Sequence, residues 1–328
     1  MDQGQFRVDD VRDFAGRFVA LADNVERVIR GKREIVELAL ICLLAEGHLL
    51  LEDVPGVGKT MLARSIAASI DGRLQRIQFT PDLLPSDVTG VTVYHQGAAR
   101  FEFHPGPVFA NVLHGDEINR ASPKTQSALL EVMQERQVTV DGQAHPVPRP
   151  FLVIATQNPI DLTGTYPLPE AQLDRFLMRL SIGYPDHRAE VSILAGMDAA
   201  PSFDALPRVV CAADVAQLIA VADSVNVAPA LHDYIVALVA STRTASGVRL
   251  GASPRASIAL VRAARARAAA AGRGYLVPDD VKALAVHVLA HRLILTPEAE
   301  LRGRTAVQSI EEALAAVPVP QPQARAGV

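Results

Sequence analysis

Apolar residues follow two different periods along this chain. In the first half they come in short runs that end in polar or glycine-rich turns: Leu49-Leu50-Leu51, Val108 to Leu113, and Phe151-Leu152-Val153-Ile154-Ala155. Runs of this length bounded by turn signals predict strands, and the unbroken third run predicts a central parallel strand buried on both faces. Ile35 to Ala45 and Met61 to Ile70 predict helices around the first strand, the second with Leu62, Ile66 and Ile70 at helical spacing. Two alternating segments predict hairpins, Val91 to Tyr94 with Arg100 to Phe103 around Gln96-Gly97, and Gln137 to Val140 with Ala144 to Val147 around Asp141-Gly142. The stretch Phe79 to Gly90 is turn-rich and reads as a functional loop. Beyond Tyr184-Pro185 the pattern is helical: Arg188 to Met197, Ala213 to Val225, Pro229 to Thr244, Pro254 to Ala271, Pro278 to His291 and Ala299 to Ala316. The division that follows is an N-terminal helix (1–24), an α/β core with two inserted hairpins (25–184), a helical linker (185–230), an all-helical region (231–317) and a disordered proline-containing tail (318–328).

Chemistry enters at the end of the first strand. Val54-Pro55-Gly56-Val57-Gly58-Lys59-Thr60 is a glycine-rich turn between that strand and the Met61 helix. A strand, such a turn and a helix start aim backbone N–H groups and a positive helix end at one spot, which suits a polyphosphate. Lys59 would reach the outer phosphates and the Thr60 hydroxyl would hold Mg²⁺. The usual pattern begins with glycine where this chain has Asp53. A carboxylate beside phosphates repels them, so Asp53 must point away and Pro55 with Gly56 must make the turn.

The second strand run leads into His114-Gly115-Asp116-Glu117. Adjacent carboxylates at a strand's C-terminal end can work on a ligand bound there. Asp116 would complete the Mg²⁺ shell, and Glu117 would orient or deprotonate an attacking water. The competing reading is an acidic helix start. The third strand ends in Thr156-Gln157-Asn158-Pro159, whose amide can meet the attacking water or the terminal phosphate.

The phosphate loop, the Asp-Glu strand, Ala155-Thr156-Gln157-Asn158-Pro159, Leu168 to Phe176 (LPEAQLDRF) and Gly251-Ala252-Ser253-Pro254-Arg255 together resemble the MoxR family of AAA+ ATPases. The resemblance spans about Val28 to Leu314. It implies a P-loop NTPase core, three layers around a parallel sheet, plus a C-terminal helical lid. It also implies a ring, usually a hexamer, with ATP between subunits. By position, Asn158 would be the first sensor, Arg175 the arginine finger for the neighbour's γ-phosphate, and Arg255 the second sensor on the lid. Val28, Ile29 and Gly31 fall where such proteins cradle adenine, and the hairpins become candidate substrate levers. The resemblance further implies a chaperone-like partner relationship with proteins carrying von Willebrand factor A domains. Arginine suits the finger and lid roles because its planar, permanent charge spreads over phosphate oxygens. Only Lys32, Lys59, Lys124 and Lys282 are lysines among 32 basic residues, so an arginine at any one place carries little information. For Arg175 the alternative is an ion pair with Asp174 or Glu170.

Composition adds limits. At 328 residues the chain can hold about two domains with ample core. A net charge of −4 disfavours a sequence-independent grip on nucleic acid. Arg262, Arg265, Arg267 and Arg273 read as a solvated helix face, and His287 with His291 as structural histidines without an acidic partner. Cys42 and Cys211 are isolated, as in a reducing compartment, and Met1 to Ala20 carries four aspartates, unlike an export signal. The apolar stretch Ile35 to Leu51 is interrupted by Glu37, Glu46 and His48, so no membrane span is expected and the location expected is cytoplasmic. Two rival functions share the motifs: an ATP-gated scaffold that hardly turns over, and a DNA or RNA motor.

Overall fold

The unbroken apolar runs form the middle of one parallel sheet. The computed structural model describes residues 8–158, 164–195 and 206–320. Helices α1 (Val8–Glu26) and α2 (Arg33–Leu44) precede β1 (Leu49–Glu52), and α3 (Lys59–Ser69) leads to β2 (Leu74–Gln78). A short α4 (Pro85–Thr89) opens into the hairpin β3 (Gly90–His95) and β4 (Arg100–Pro105), followed by β5 (Val112–Asp116). Helix α5 (Pro123–Glu135) runs into the second hairpin, β6 (Gln137–Val140) with β7 (Gln143–Pro146), and then β8 (Leu152–Gln157). Helix α6 (Glu170–Leu173), β9 (Met178–Leu180), α7 (His187–Ala195) and α8 (Ala212–Ser224) complete this part.

The sheet order is β2-β5-β8-β1-β9, and every pair is parallel. Successive side chains face opposite sides of a strand. Leu50, Leu113, Val153 and Ala155 join a core with Leu129, Leu130 and Met133 of α5. Leu49, Leu51, Val112, Leu152 and Ile154 point the other way and are fully buried too. Burial on both faces is why these runs show no alternation. β2 carries Arg76 and Gln78 at exposed positions and lies at one edge.

Several boundaries differ from the sequence reading. The second strand is Val112–Asp116, not Val108 to Leu113: Val108 and Ala110 are fully buried, but in a turn where Val108 N–H bonds to Val88 O and Phe109 N–H to Gly106 O. They are apolar because they fill the core beneath α4, not because they pair in a sheet. The stretch Phe79 to Gly90 is not all loop. It contains α4, and Phe79 and Val88 are core residues. Both hairpins form, and the ring of Phe103 stacks on that of His145 at 4.2 Å, joining one to the other.

The chain divides into two compact units, Gly16–Ala220 and a second from Val221 onward together with the residues up to Ala15. The second unit contains α9 (Pro229–Thr244), β10 (Val248–Leu250), α10 (Pro254–Ala270), α11 (Pro278–Leu289), β11 (Ile294–Leu295), α12 (Pro297–Leu301) and α13 (Ala306–Ala316). The expected single helix Ala299 to Ala316 is broken between α12 and α13 at Gly303, whose φ is 76°. Thr305 restarts it: its Oγ1 accepts from Gln308 N–H, and Gln308 Oε1 accepts from Thr305 N–H. Met197 lies outside the described residues, as does all of the expected tail from residue 321. No helix among the described residues is long and apolar enough to cross a membrane.

Candidate functional site

β1 ends at Glu52, and the chain turns through Asp53 to Gly58 before α3 begins at Lys59. Gly56 (φ 85°) and Gly58 (φ 97°) occupy the left-handed region that residues with a Cβ avoid, so glycine is what lets the turn close onto the helix start. The loop leads directly into an 11-residue helix whose first N–H groups have no intrahelical partner. The Lys59 ammonium donates to the Asp53 carbonyl at 2.7 Å. Burial lowers its pKa, while the carboxylates of Asp116, Asp53 and Glu117 pull it up.

The Asp53 carboxylate turns away from this helix start. Its Oδ2 accepts from Gly183 N–H at 2.7 Å and from the Ser181 hydroxyl at 3.0 Å, and its Oδ1 from Val54 N–H at 2.9 Å. Burial raises its pKa, but these bonds outweigh burial and the net shift is downward. A carboxylate with a depressed folded pKa stabilises the protein above its unfolded pKa of about 3.9 and loses that contribution as pH falls through the folded value. Asp53 thus ties the loop's first residue to the segment after β9. Asp53→Ala is expected to cost about 1–3 kcal/mol in urea unfolding, because the half-buried Val54 and Gly183 N–H groups lose a charged acceptor.

Opposite the loop stand the ends of β5 and β8. A cleft of about 320 Å³ has Pro55, Gly56, Gly58, Lys59, Thr60 and Met61 on one wall and Asp116, Glu117 and Asn158 on the other. Asp116 is the last residue of β5. Its Oδ2 accepts from Arg76 Nη2 at 2.7 Å and its Oδ1 from the Thr156 hydroxyl at 2.7 Å. Burial pushes its pKa up, and these two partners more than offset it, so Asp116 is a carboxylate below the ordinary range. Glu117 leaves the strand with φ 58° and ψ 51°, and its Oε2 accepts from Gln78 Nε2 at 3.0 Å and pairs with Arg120 Nε at 3.2 Å. The competing reading has Asp116 capping an acidic helix start, but its two oxygens accept from Arg76 and Thr156, while Glu117 stands at the N-cap position of the short 3-10 turn Ile118–Arg120 and makes no side-chain capping bond there.

Gly115, immediately before the carboxylates, has a steric reason. A Cβ on Gly115 would lie 3.0 Å from the Phe79 ring, so glycine makes room for that core residue. His114 is buried, and burial lowers its pKa to about 4, which keeps the imidazole neutral at physiological pH.

Similarity to known proteins agrees with this arrangement. Residues 48–178 match the model of the ATPase family associated with various cellular activities (AAA), and residues 240–313 match the AAA lid domain. The chain is 47% identical over 285 residues to the chaperone MoxR1 of Mycobacterium tuberculosis, covering 84% of this chain and 75% of that protein. It is 48% identical over 312 residues to the uncharacterised protein YeaC of Bacillus subtilis, covering 95% and 97% of the two chains. A crystal structure from Cytophaga hutchinsonii, described as a candidate ATPase, superposes with a TM-score of 0.88 at 39% identity, covering 95% of this chain and 98% of the other. The chain belongs to the MoxR family of AAA+ ATPases.

In this MoxR-family protein the remaining expected site residues occupy distinct places. Val28, Ile29 and Gly31 form the turn between α1 and α2, and Ile29 is buried with its Cδ1 3.9 Å from where a Cβ on Gly58 would stand. That turn therefore reaches the phosphate loop. Val57 lies within the loop between the two turning glycines. Arg175 follows α6 and is half-buried; its Nε has no hydrogen-bond partner, and no ion pair to Asp174 or Glu170 exists among the described residues. It is not one of the residues lining the cleft. Arg255 is exposed at the second position of α10, in the second unit. Sequence reasoning gave no role to Thr156, Arg76, Gln78 or Arg120, all of which touch the two carboxylates.

Proposed function

We propose that this protein hydrolyses ATP with Mg²⁺ at the junctions of a homo-oligomeric ring, hexameric as is usual in such assemblies, and uses the cycle to remodel or assemble a protein partner. The observation that carries the reading is the single cleft that gathers Lys59, Thr60, Asp116, Glu117 and Asn158 from three separate strand ends. Lys59 and the N–H groups at the start of α3 bind the β- and γ-phosphates. Thr60 and Asp116 bring a hydroxyl and a carboxylate oxygen to the same cleft, a donor set that fits a hard divalent cation. When bound, Mg²⁺ offsets the phosphate charge that develops on transfer. Glu117 takes a proton from the water that attacks the γ-phosphorus, the bond from that phosphorus to the β–γ bridging oxygen breaks, and the electron pair leaves on ADP. Gln78 and Arg120 hold the Glu117 carboxylate in reach, and Asn158 orients the water from the tip of β8. Val28, Ile29 and Gly31 flank the adenine.

The partner reading draws on the chaperone name of the mycobacterial relative and on the family, which makes proteins with von Willebrand factor A domains the class to test first. A cytoplasmic site of action accords with two free cysteines. The test is phosphate release at protein concentrations that assemble a ring by native mass spectrometry. Magnesium-dependent turnover is expected; bound ATP without turnover would favour an ATP-gated scaffold, and stimulation by DNA or RNA would favour a motor. Capture with Glu117→Gln held in the ATP state identifies the partner.

Arg255 is assigned the second-sensor role, by which ATP in the cleft governs the helical unit. Arg255→Ala is expected to slow hydrolysis and to remove the ATP-dependent change in hydrogen exchange over α9 to α11, since a unit responds to ligand only through contacts that differ between its states. An equal ATP response in wild type and variant would make Arg255 structural.

A further inference from the structure

Asp116 and Glu117 are consecutive, yet both line one cleft, whereas consecutive residues of a strand face opposite sides. The chain resolves this by leaving the strand at once: Glu117 sits at φ 58° and ψ 51°, a left-handed conformation that is costly for a residue with a Cβ. One side chain touches both residues at this point. Thr156 of β8 is fully buried, one step beyond the paired residues Gly115 and Ala155. Its hydroxyl accepts from Glu117 N–H at 2.9 Å and donates to Asp116 Oδ1 at 2.7 Å.

We propose that Thr156 is the positioning residue of the ATPase site, fixing Asp116 in the orientation that holds the metal and Glu117 in the turn that aims its carboxylate at the attacking water. The inference rests on the ATPase reading above. A hydroxyl has a single proton, so donation to Asp116 leaves its lone pairs for Glu117 N–H, and the two bonds are made together by one atom. The β-branched side chain holds that atom in few rotamers. Arg76 takes the other Asp116 oxygen, but from an exposed edge strand, so the buried anchor is Thr156. Thr156→Val keeps the shape and strands both partners; Thr156→Ser keeps the oxygen with a looser rotamer.

Wild type, Thr156→Val and Thr156→Ser are compared in phosphate release and in equilibrium binding of a fluorescent non-hydrolysable ATP analogue across a magnesium titration, with thermal unfolding as a control. The valine variant is expected to lose about 10²-fold in kcat while KM changes by less than about threefold. Its midpoint for the magnesium-dependent part of binding should rise by about tenfold or more, with metal-free binding unchanged. Serine should restore the midpoint and most of kcat. A valine variant with wild-type kcat and midpoint overturns the proposal. So does an equal loss of metal-free and metal-dependent affinity that serine does not rescue, which would make Thr156 an ordinary core residue. If the wild type itself shows no turnover, the ATPase reading fails, while the magnesium midpoint, which needs no hydrolysis, still decides on Thr156. Should the valine variant not give the wild-type circular dichroism spectrum, Thr156→Ala, which removes the same hydroxyl without crowding, takes its place.

Discussion

Lys59→Ala is expected to abolish measurable ATP binding and, with it, turnover. The Lys59 ammonium stands in the cleft with the loop's glycines, hydrogen-bonded to the Asp53 carbonyl, and is placed to exchange that contact for phosphate oxygens. Each charged hydrogen bond contributes about 1.5–3 kcal/mol, so losing two or more at a polyphosphate weakens binding by about two orders of magnitude or beyond. Near-native affinity by calorimetry would remove the phosphate-loop assignment. Glu117→Gln separates binding from chemistry. The amide keeps the shape and can still meet Gln78, but it cannot take a proton, so binding should persist and hydrolysis should fall by about 10²–10⁴-fold. Loss of binding in that variant would count against Glu117 as the base.

Mixing two inactive variants should restore activity if Arg175 serves the neighbouring subunit. An Arg175→Ala protein has complete clefts that lack only a donated charge, whereas Glu117→Gln has inactive clefts and an intact arginine. Arg175→Ala alone should fall by about 10³-fold or more in kcat, and Glu117→Gln alone by about 10²–10⁴-fold. In mixed rings some junctions place Arg175 of a Glu117→Gln subunit against a cleft with a working Glu117. Turnover should then exceed the sum of the separate proteins and peak at intermediate ratios. The half-buried side chain, with an unbonded Nε and outside its own cleft, accords with a group that finds its partner elsewhere. Purely additive rates in rings shown to have co-assembled would exclude the role, and Arg179 or Arg120 would be tested next. Both already have partners within the subunit, Glu52 for Arg179 at 2.9 Å and Glu117 for Arg120.

What the sequence determined by itself is local. Gly56 and Gly58 are legible because only glycine takes the backbone angles of that turn, and Lys59-Thr60 because the helix start follows at once. Leu49 to Leu51 and Leu152 to Ala155 are legible because strands covered on both faces have no polar side to interrupt them. The start of α9 at Pro229 is legible because proline at the first helical position marks a start without help from the rest of the chain. Asp116, Glu117 and Asn158 could be named because each ends an apolar run in a polar tip.

The tertiary structure alone decided the rest. The edge strands β2 and β9 have no readable pattern, the first because its sequence LQRIQ is mostly polar and half-exposed, the second because three residues are too few to show a period. They become strands through pairing with β5 and β1. The apolar turn Val108 to Ala110 imitated a strand because burial under α4 and pairing in a sheet select the same residues. Most of the site's supporting contacts join residues about 40 apart: Arg76 to Asp116, Gln78 to Glu117, Thr156 to both. No spacing along the chain encodes them, because a hydrogen bond depends on where two strand ends meet in the sheet, and that meeting is set by register and strand order.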